Sequence, residues 1–272
     1  MLKHYALSLF LKLGRFLINP SQIFYPKWLV KHSDTERRIV DNFVATIPNA
    51  KNSSFLLDAG AGSFRYRDIL IGKGYTYESQ DFVNVFDVSK RGHHTYTCDI
   101  NSIPVEAERF EVIVCTQVLE HLKNPLATFL EFERILKKGG SLYLTTNFLF
   151  PIHGEPFDYF RFTKFGLESL SSSVGFVIKE IQPRGGFFSL VAKFVLDSPA
   201  VLKCWLLYGG VTPHGPYEIK PKNSLLVLIL LPIIFLLDLI CTLTAFFIVK
   251  FDFLDRKERF TLGYQLHAIK KF

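Results

Sequence analysis

The sequence predicts an α/β fold, in which helices cover both faces of a Rossmann-like sheet and a hydrophobic helical insertion precedes the last strand. Short apolar runs alternate with helical patterns from residue 55 onwards, as expected for parallel strands joined by helical crossovers. The first apolar run ends in an aspartate and two glycines within residues 58–62, which is typical of a ligand-binding turn. A long apolar stretch over residues 224–251 interrupts the alternation.

The first strand is predicted at residues 55–59 and leads into a tight turn against a ligand. Gly60 and Gly62 let the backbone approach that ligand and adopt left-handed dihedral angles. A helix is predicted over residues 65–71, with its N-terminus in the crevice at the carboxyl ends of the strands. Because Asp58 precedes the glycines and the third glycine of a dinucleotide fingerprint is absent, a cationic ligand is favoured and an NAD-dependent oxidoreductase is disfavoured. The alternative is that Asp58 caps the turn.

The next three strands are predicted at residues 75–82, 95–100 and 110–115. Asp81 ends the first of them, about where an acidic residue accepts hydrogen bonds from both ribose hydroxyls of a nucleoside. The run at residues 110–115 is rich in β-branched residues, which predicts a strand that is buried on both faces.

The second half of the predicted sheet begins with a helix over residues 125–137. Asn124 and Pro125 start this helix, and Lys138-Gly139-Gly140 ends it. The remaining predicted elements are a strand at 141–146, a helix at 164–171, and strands at 176–181 and 260–269. We expect the last strand to pair antiparallel beside its predecessor and to close the edge of the sheet.

These elements together resemble the type-11 methyltransferase domain of the class I superfamily that uses S-adenosylmethionine. The matching segments are Leu57-Asp58-Ala59-Gly60-Ala61-Gly62, Asp81, Cys98-Asp99-Ile100, Val118-Leu119-Glu120-His121, Leu136-Lys137-Lys138-Gly139-Gly140 and Pro151–Thr163. The resemblance implies a seven-stranded sheet and S-adenosylmethionine as the cofactor. The family often has a small residue where Phe64 stands, so we expect Phe64 to pack against the edge of the ligand.

The resemblance also implies a role for each cofactor-binding residue. Gly60 and Gly62 would approach the methionine part, Asp81 the ribose and Asp99 the adenine. Gln117 would form the floor near the sulfonium. With the acidic residue that precedes the glycines, the predicted cofactor-binding set is Asp58, Gly60, Gly62, Asp81, Asp99 and Gln117.

Methyl transfer from a sulfonium is an in-line displacement, so the enzyme mainly supplies proximity and alignment. A base helps only where the acceptor must lose a proton. The candidate catalytic residues are His121, which follows the fourth strand, and His153, which lies on the loop after the fifth. The alternative for Glu120-His121 is a helix-start pair that bonds the backbone. No His/Cys cluster has metal-ligand spacing, so no metal is predicted.

The loop over residues 151–163 is the candidate acceptor site, because loops at the carboxyl ends of strands carry function. Asp158, Tyr159 and Arg161 are its candidate substrate-binding residues. The alternative is an internal network, in which Asp158 pairs with Arg161 and Thr163 caps the next helix. Both can hold together.

The predicted insertion at residues 187–255 contains an apolar run long enough to span a bilayer. Since the last strand returns to the sheet, both ends of the run lie on one side, and their basic flanks place that side in the cytoplasm. We therefore expect a re-entrant or in-plane hairpin broken near Asp238, packed with residues 187–208, which break at Asp197–Pro199. The alternative is a soluble helical cap over the site or a dimer interface.

The N-terminal residues 1–50 are predicted to form an amphipathic helical segment. A narrow polar stripe ends before Pro20 and consists of His4, Ser8, Lys12, Arg15 and Asn19, which suits an interfacial helix. The alternative is a helix docked on the sheet. The predicted cofactor-binding domain comprises residues 51–186 and 256–272.

The composition also bears on the binding partner and the cellular compartment of the protein. The 272 residues include 28 Phe and carry a net charge of +7, and no basic-aromatic motif indicates nucleic acid. Anionic lipid explains the charge better. The scattered cysteines, Cys98, Cys115, Cys204 and Cys241, suit reduced thiols in the cytosol.

The predicted function is methyl transfer from S-adenosylmethionine to a small or lipid-linked acceptor, such as a lipid-linked sugar or a prenylated ring, on the cytoplasmic side of a membrane. The alternative is a catalytically silent methyltransferase-like scaffold of a membrane complex. Affinity for the cofactor distinguishes the two.

Overall fold

The computed structural model describes residues 35–51, 53–82, 93–208, 224–255 and 259–271. The chain divides into two compact units. The sheet unit comprises Ile39–Arg184 and Phe260–Phe272, and the helical unit contains Gly185–Arg259. The predicted polar stripe of residues 4–19 lies outside the described residues.

The sheet unit is built on a seven-stranded sheet in the order β3-β2-β1-β4-β5-β7-β6. The strands are β1 Phe55–Ala59, β2 Thr76–Asp81, β3 Tyr96–Thr97, β4 Phe110–Thr116, β5 Leu136–Asn147, β6 Phe176–Pro183 and β7 Gly263–Lys270. Strands β1 to β5 are parallel, and β7 runs antiparallel between β5 and β6. The predicted α/β class with a Rossmann-like sheet is therefore confirmed. The strand order reverses between β1 and β4, which is where such sheets open a ligand crevice.

Both faces of this sheet are covered, which is why its central strands are continuous apolar runs. The described helices of the sheet unit are α1 Thr35–Ala45, which enters the unit at Ile39, α2 Arg67–Gly72, α3 Pro125–Ile135 and α4 Lys164–Ser173. Leu57 and Ile113 point into a core with Phe129 of α3. Their neighbours Leu56 and Val112 point to the opposite face, into a core that also contains residues 40–47. Successive residues of a strand therefore pack alternately into the cores on the two faces of the sheet.

Two predicted details of the sheet are wrong. Helix α3 ends at Ile135, before the expected Lys137, because Leu136 already pairs with Phe110 of β4. A bulge follows, in which a side chain on Gly140 would lie 2.8 Å from the Lys137 carbonyl oxygen. The edge strand is β6 rather than β7, since β7 is inserted between β5 and β6.

The helical unit contains two long helices, α5 Phe187–Tyr208 and α6 Ser224–Ile248, and the short 3₁₀ helix Val249–Leu254. The predicted breaks are absent. Helix α5 continues through Pro199, where the Ser198 hydroxyl donates to the Val195 carbonyl oxygen at 2.8 Å and replaces the N–H that proline lacks. Helix α6 also continues through Asp238. A carboxylate in an apolar segment costs solvation free energy, but it does not remove a backbone hydrogen bond from the helix.

The two ends of the helical unit are joined at the N-terminus of α5. The Asp252 carboxylate accepts hydrogen bonds from the backbone N–H groups of Gly186 and Ser189 and from the Ser189 hydroxyl. The Asp255 carboxylate accepts from the Phe187 N–H at 2.8 Å. Carboxylates at a helix N-terminus satisfy unpaired donors and complement the helix dipole, so these residues hold the unit closed.

Within the described residues, one helical stretch, Pro232–Leu254, is long and apolar enough to cross a membrane. Only 22% of its most apolar window is buried. Its exposed apolar residues recur at helical spacing along α6 and form the apolar stripe: Ile233, Leu236, Ile240, Leu243 and Phe247.

Candidate functional site

A cavity of about 620 Å³ opens at the carboxyl ends of β1, β2 and β4. Its volume lies in the range of small-molecule and cofactor sites. The ends of these strands and the loops after β4 and β5 line it, with Gly60, Gln80, Asp81, Phe82, Asp99, Ile100, Asn101, Gln117, Val118, His121, Leu122, Lys123, Gly154, Phe157 and Tyr159.

The glycine turn after β1 forms one wall of this cavity. Gly60 has a φ of 73°, and a side chain there would lie 2.4 Å from a methyl carbon of Val118. The N–H groups of Gly60 and Ala61 donate to the Gln80 carbonyl oxygen at 2.9 and 3.0 Å. Glycine is therefore required at Gly60 by its dihedral angle and by its neighbour together.

Asp81 closes the turn from the neighbouring strand. Its carboxylate accepts from the Gly62 N–H at 2.7 Å. A carboxylate has about four lone-pair positions, so this bond leaves others for a ligand hydroxyl. Gly62 has a φ of 52° and lies outside the cavity lining.

Asp58 lies beneath the turn and outside the cavity lining. Its side chain is buried and accepts a hydrogen bond from the Tyr77 hydroxyl at 2.7 Å. Burial raises the pKa of the Asp58 carboxyl from 3.8 to about 6, although the Tyr77 bond opposes the shift. The N–H groups of the turn donate to Gln80 and Asp81, so the described hydrogen bonds do not show Asp58 as the cap of this turn.

Asp99 and Gln117 line the cavity from the segments after β3 and β4. Asp99 accepts from the Asn101 N–H at 2.9 Å, which orients its carboxylate. Gln117 has a φ of 57°, and its side-chain amide donates to the Thr145 hydroxyl oxygen at 2.9 Å. Four of the six predicted cofactor-binding residues, Gly60, Asp81, Asp99 and Gln117, thus surround one cavity.

Another part of the cavity lining is largely apolar. Leu122, Phe157 and Tyr159 line it, and Phe157 and Tyr159 are also exposed. His121 lies among them, with its Nδ1 atom 2.5 Å from the Phe157 carbonyl oxygen. His153 lies outside the lining but contacts the His121 ring edge-on, with ring centroids 4.7 Å apart.

Asp158 and Arg161 form the internal network that was the alternative for the acceptor loop. The Arg161 guanidinium donates to both Asp158 oxygens at 2.6 and 2.7 Å and to the Phe150 and Pro151 carbonyls. This guanidinium lowers the pKa of the Asp158 carboxyl to about 2, so the group stays ionised at neutral pH. Thr163 caps α4 by accepting from the Gly166 N–H. Tyr159 is the member of the predicted acceptor set that lines the cavity.

Phe64 stacks on His94, with ring centroids 4.5 Å apart and an interplanar angle of 26°. It does so with a φ of 59°, which is rare for a bulky residue. The left-handed dihedral angle at Phe64 is one that a glycine would adopt without strain.

Some lining residues carry no motif and were missed from the sequence. Gln80 bridges two strands, because its side chain accepts from the Gly60 N–H and donates to the Cys98 carbonyl oxygen. Gly154 packs on the His121 ring so closely that a side chain at this position would lie 3.1 Å from it. Only the position of Gln80 beside Asp81, at the end of a strand, could have indicated its role.

Comparison with known proteins finds similarity to methyltransferases. Residues 32–165 match a family model described as a methyltransferase domain. A Coxiella burnetii ubiquinone biosynthesis O-methyltransferase is 28% identical over 99 residues, which cover 34% of this chain and 42% of that protein. The chain thus spans less than half the length of the curated relatives it matches.

Solved structures of similar fold include several methyltransferases. The [4+2]-cyclase SpnF has 16% identity and a TM-score of 0.49 over 87% of this chain and 80% of its own. Haemonchus contortus phosphoethanolamine N-methyltransferase 2, solved with S-adenosylhomocysteine, has 15% identity and a TM-score of 0.46 over 87% and 52%. A Methanosarcina mazei S-adenosylmethionine-dependent methyltransferase has 15% identity and a TM-score of 0.46 over 86% and 97%.

Proposed function

We propose that this chain, which carries a class I methyltransferase domain with S-adenosylmethionine as its cofactor, methylates a hydroxyl group of a small or lipid-linked acceptor on the cytoplasmic side of a membrane. The predicted domain class agrees with the family match over residues 32–165. The acceptor, the membrane and the activity of the whole protein are the parts that we add.

The observation that carries the proposal is the cavity lining at the switch point of the sheet. Gly60 and the carboxylates of Asp81 and Asp99 come from separate strands and meet around one cavity. Carboxylates suit a ligand with hydroxyl groups and positive charge and repel a phosphate. Asp81 would hold the ribose, Asp99 the adenine, and the open space beside the glycine turn would hold the methionine part.

The cofactor supplies a methyl group that is already activated on a sulfonium. The chain therefore has to align the acceptor and exclude water. His121 can also take the acceptor proton. The Phe157 carbonyl can only accept, so the His121 Nδ1 carries the proton and the Nε2 of the neutral ring is free to act as a base.

An apolar acceptor with a hydroxyl group fits the wall formed by Leu122, Phe157 and Tyr159. The name of the Coxiella burnetii relative, an O-methyltransferase of ubiquinone biosynthesis, supports oxygen as the methylated atom. Phe82, also exposed, adds to the apolar lining.

Membrane contact is supported by the apolar stripe of α6, which is exposed over a helix long enough to cross a bilayer. Lys250 follows the stripe directly and is exposed, and basic residues flank the apolar run at both ends. Such flanks are typical of segments held at the cytoplasmic face.

The test is a methyl-transfer assay with S-adenosylmethionine labelled on its methyl group. The protein, purified in detergent, is incubated with vesicles made from the lipids of its source cells. We expect label in the organic extract with the wild type and with Asp68→Ala, an exposed charge outside the cavity, and much less label with Asp81→Ala at a cofactor concentration that does not saturate the variant. Label in water-soluble products alone would contradict the lipid-linked acceptor. No transfer together with no cofactor binding would favour the silent scaffold.

A further inference from the structure

The fold brings Glu120, His121 and His153 together at the edge of the cavity. One ligand atom from each, a carboxylate oxygen or a ring nitrogen, lies within 4.8 Å of the other two. Glu120 and His121 belong to the turn after β4, whereas His153 follows β5. Because β4 and β5 are parallel neighbours, their carboxyl ends meet, and residues more than 30 apart in the sequence become one cluster. We call these three residues the His/His/Glu cluster.

Both imidazoles are held in the same tautomer. The Nδ1 atom of His121 lies 2.5 Å from the Phe157 carbonyl oxygen, and that of His153 lies 3.1 Å from the Pro151 carbonyl oxygen. Carbonyl oxygens only accept hydrogen bonds, so each Nδ1 carries a proton, and in the neutral ring the lone pair is on Nε2. The Nε2 of His153 lies 3.4 Å from the Asn147 amide nitrogen, a contact that a bound ion would displace. A backbone carbonyl that accepts from the far nitrogen is the arrangement that orients histidines which bind metals.

Glu120 supplies a fixed, buried carboxylate. Its side chain is fully buried and accepts from the Thr146 hydroxyl at 2.8 Å and the Asn147 amide at 2.7 Å. Both donors are neutral, and the bonds occupy about half of the lone-pair positions of a carboxylate. A buried carboxylate needs a compensating positive charge, which Arg161 supplies in part through its electrostatic interaction with Glu120. The closest imidazole nitrogen, Nε2 of His153, lies 3.9 Å from Oε1, so an ion bound between them would add to that compensation.

We propose that the His/His/Glu cluster binds one divalent transition-metal ion through the Nε2 atoms of both histidines and the carboxylate of Glu120. Imidazole with carboxylate suits ions such as Zn²⁺, Fe²⁺ or Co²⁺ better than Mg²⁺ or Ca²⁺. Bonds of about 2.0–2.2 Å require the ligand atoms to approach one another by roughly 1 Å. The partly exposed His153 loop can supply this movement.

Three protein ligands leave coordination positions open. His121 lines the cavity, so an open position faces the space proposed for the acceptor. The ion would hold the acceptor hydroxyl oxygen there, an inference that rests on the proposed function. An ion on the Nε2 of His121 and a proton accepted by that same atom exclude each other, so metal binding would replace the role of His121 as a base.

The test is a titration of tag-free, full-length protein with CoCl₂, followed by visible absorption and calorimetry. We expect one ion per chain and a visible band of nitrogen-coordinated Co²⁺. His153→Ala and His121→Ala should each weaken binding by about 10- to 100-fold, on the scale seen for perturbed metal sites. His93→Ala is the matched control, because His93 is an exposed imidazole outside the cluster, and it should leave binding unchanged.

Folding and cofactor binding are measured on the same samples, by thermal unfolding and by titration with S-adenosylhomocysteine. His153→Gln replaces His153→Ala if the latter does not fold. Absence of Co²⁺ binding to folded wild-type protein, or wild-type affinity in both cluster variants, would overturn the proposal. If the wild type binds S-adenosylhomocysteine but not Co²⁺, only the metal site is overturned. If the folded wild type does not bind S-adenosylhomocysteine, the proposed function is overturned.

Discussion

Gly60 shows how a single residue defines the cavity at the residue scale. Its dihedral angle suits glycine, and the close approach of Val118 leaves no room for a side chain. Gly62 shares the left-handed conformation, but a side chain added there would meet nothing within 4 Å. A substitution at Gly62 therefore tests backbone strain alone, whereas one at Gly60 tests backbone strain together with a steric clash.

We predict that Gly60→Ala destabilises the protein more than Gly62→Ala. The left-handed conformation alone costs about 1–2 kcal/mol for an alanine, and Gly60→Ala adds the clash with Val118. Denaturant unfolding measures both variants. The double variant Gly60→Ala/Val118→Ala should recover part of the loss, and strictly additive effects of the two changes would refute the clash.

Asp58 should make the stability depend on pH. Its carboxyl is buried and its pKa rises from 3.8 to about 6, so the folded state binds the proton more tightly than the unfolded state does. Stability is therefore lost as the pH rises from about 4 to 6, by roughly 3 kcal/mol at 1.36 kcal/mol for each pKa unit. Asn keeps an acceptor for Tyr77 and cannot titrate.

Denaturant unfolding between pH 4 and 7.5 measures this effect in the wild type and in Asp58→Asn. Relative to the variant, the wild type should be less stable at pH 7.5 than at pH 4. A difference between the two proteins that does not change with pH would show that burial does not raise the pKa of Asp58.

Residues that end or follow a predicted strand could be located from the sequence, and contacts that depend on the path of a long loop could not. Gly60, Asp81 and Asp99 follow strand ends that the apolar pattern locates, so their convergence follows from parallel topology. The contact between His121 and His153 depends on the path of the loop after β5, and no spacing encodes that path. For the same reason the sequence suggested no metal ligands.

At the scale of elements, the strands of the sheet were predicted well because apolar runs bounded by glycine and polar residues are strong signals. Helix ends were predicted less well. Gly139 and Gly140 follow α3 closely and therefore look like a helix stop signal, but in the structure they form a bulge in β5. Pro199 does not break α5 because the hydroxyl of the preceding Ser198 replaces the missing donor.

We predict that Asp252→Ala destabilises the N-terminus of α5, since it removes the carboxylate that accepts from Gly186 and Ser189. The expected loss is about 1–2 kcal/mol, as for other helix caps. Amide hydrogen exchange at the first turn of α5 measures it locally. Asp197→Ala is the control, because the partly exposed Asp197–Lys193 pair on the same helix contributes about 0.5 kcal/mol at most. Equal exchange in the two variants would contradict the capping role.

At the scale of the whole molecule, the chain combines a sheet unit with a cofactor-sized cavity and a helical unit with an exposed apolar stripe. The insertion between β6 and β7 was predictable from its composition. The continuity of α6 was not predictable from its composition. Hydropathy indicates which environment a segment prefers, whereas its backbone hydrogen bonds determine whether the helix is broken.

The apolar stripe should carry membrane binding. Leu236→Lys and Ile240→Lys place charge in the middle of the stripe, so they should reduce sedimentation with vesicles of anionic lipid, at a cost of about 2.5–3.5 kcal/mol for a charge at the centre of a spanning helix. Phe165→Lys is the matched control on α4, where Phe165 is also apolar and exposed. Equal sedimentation of all variants would remove the stripe from the account and favour the soluble cap or a dimer interface.

The most direct measurement is a calorimetric titration of S-adenosylhomocysteine into the detergent-purified protein, beside Asp81→Ala and the exposed-charge control Asp68→Ala. We predict one site per chain in the wild type and in Asp68→Ala. In Asp81→Ala the affinity should fall by about 10- to 100-fold, because a hydrogen bond to a charged group contributes about 1.5–3 kcal/mol. A folded wild-type protein that binds no S-adenosylhomocysteine, or an Asp81→Ala variant that binds it equally well, would contradict the assignment of the cavity.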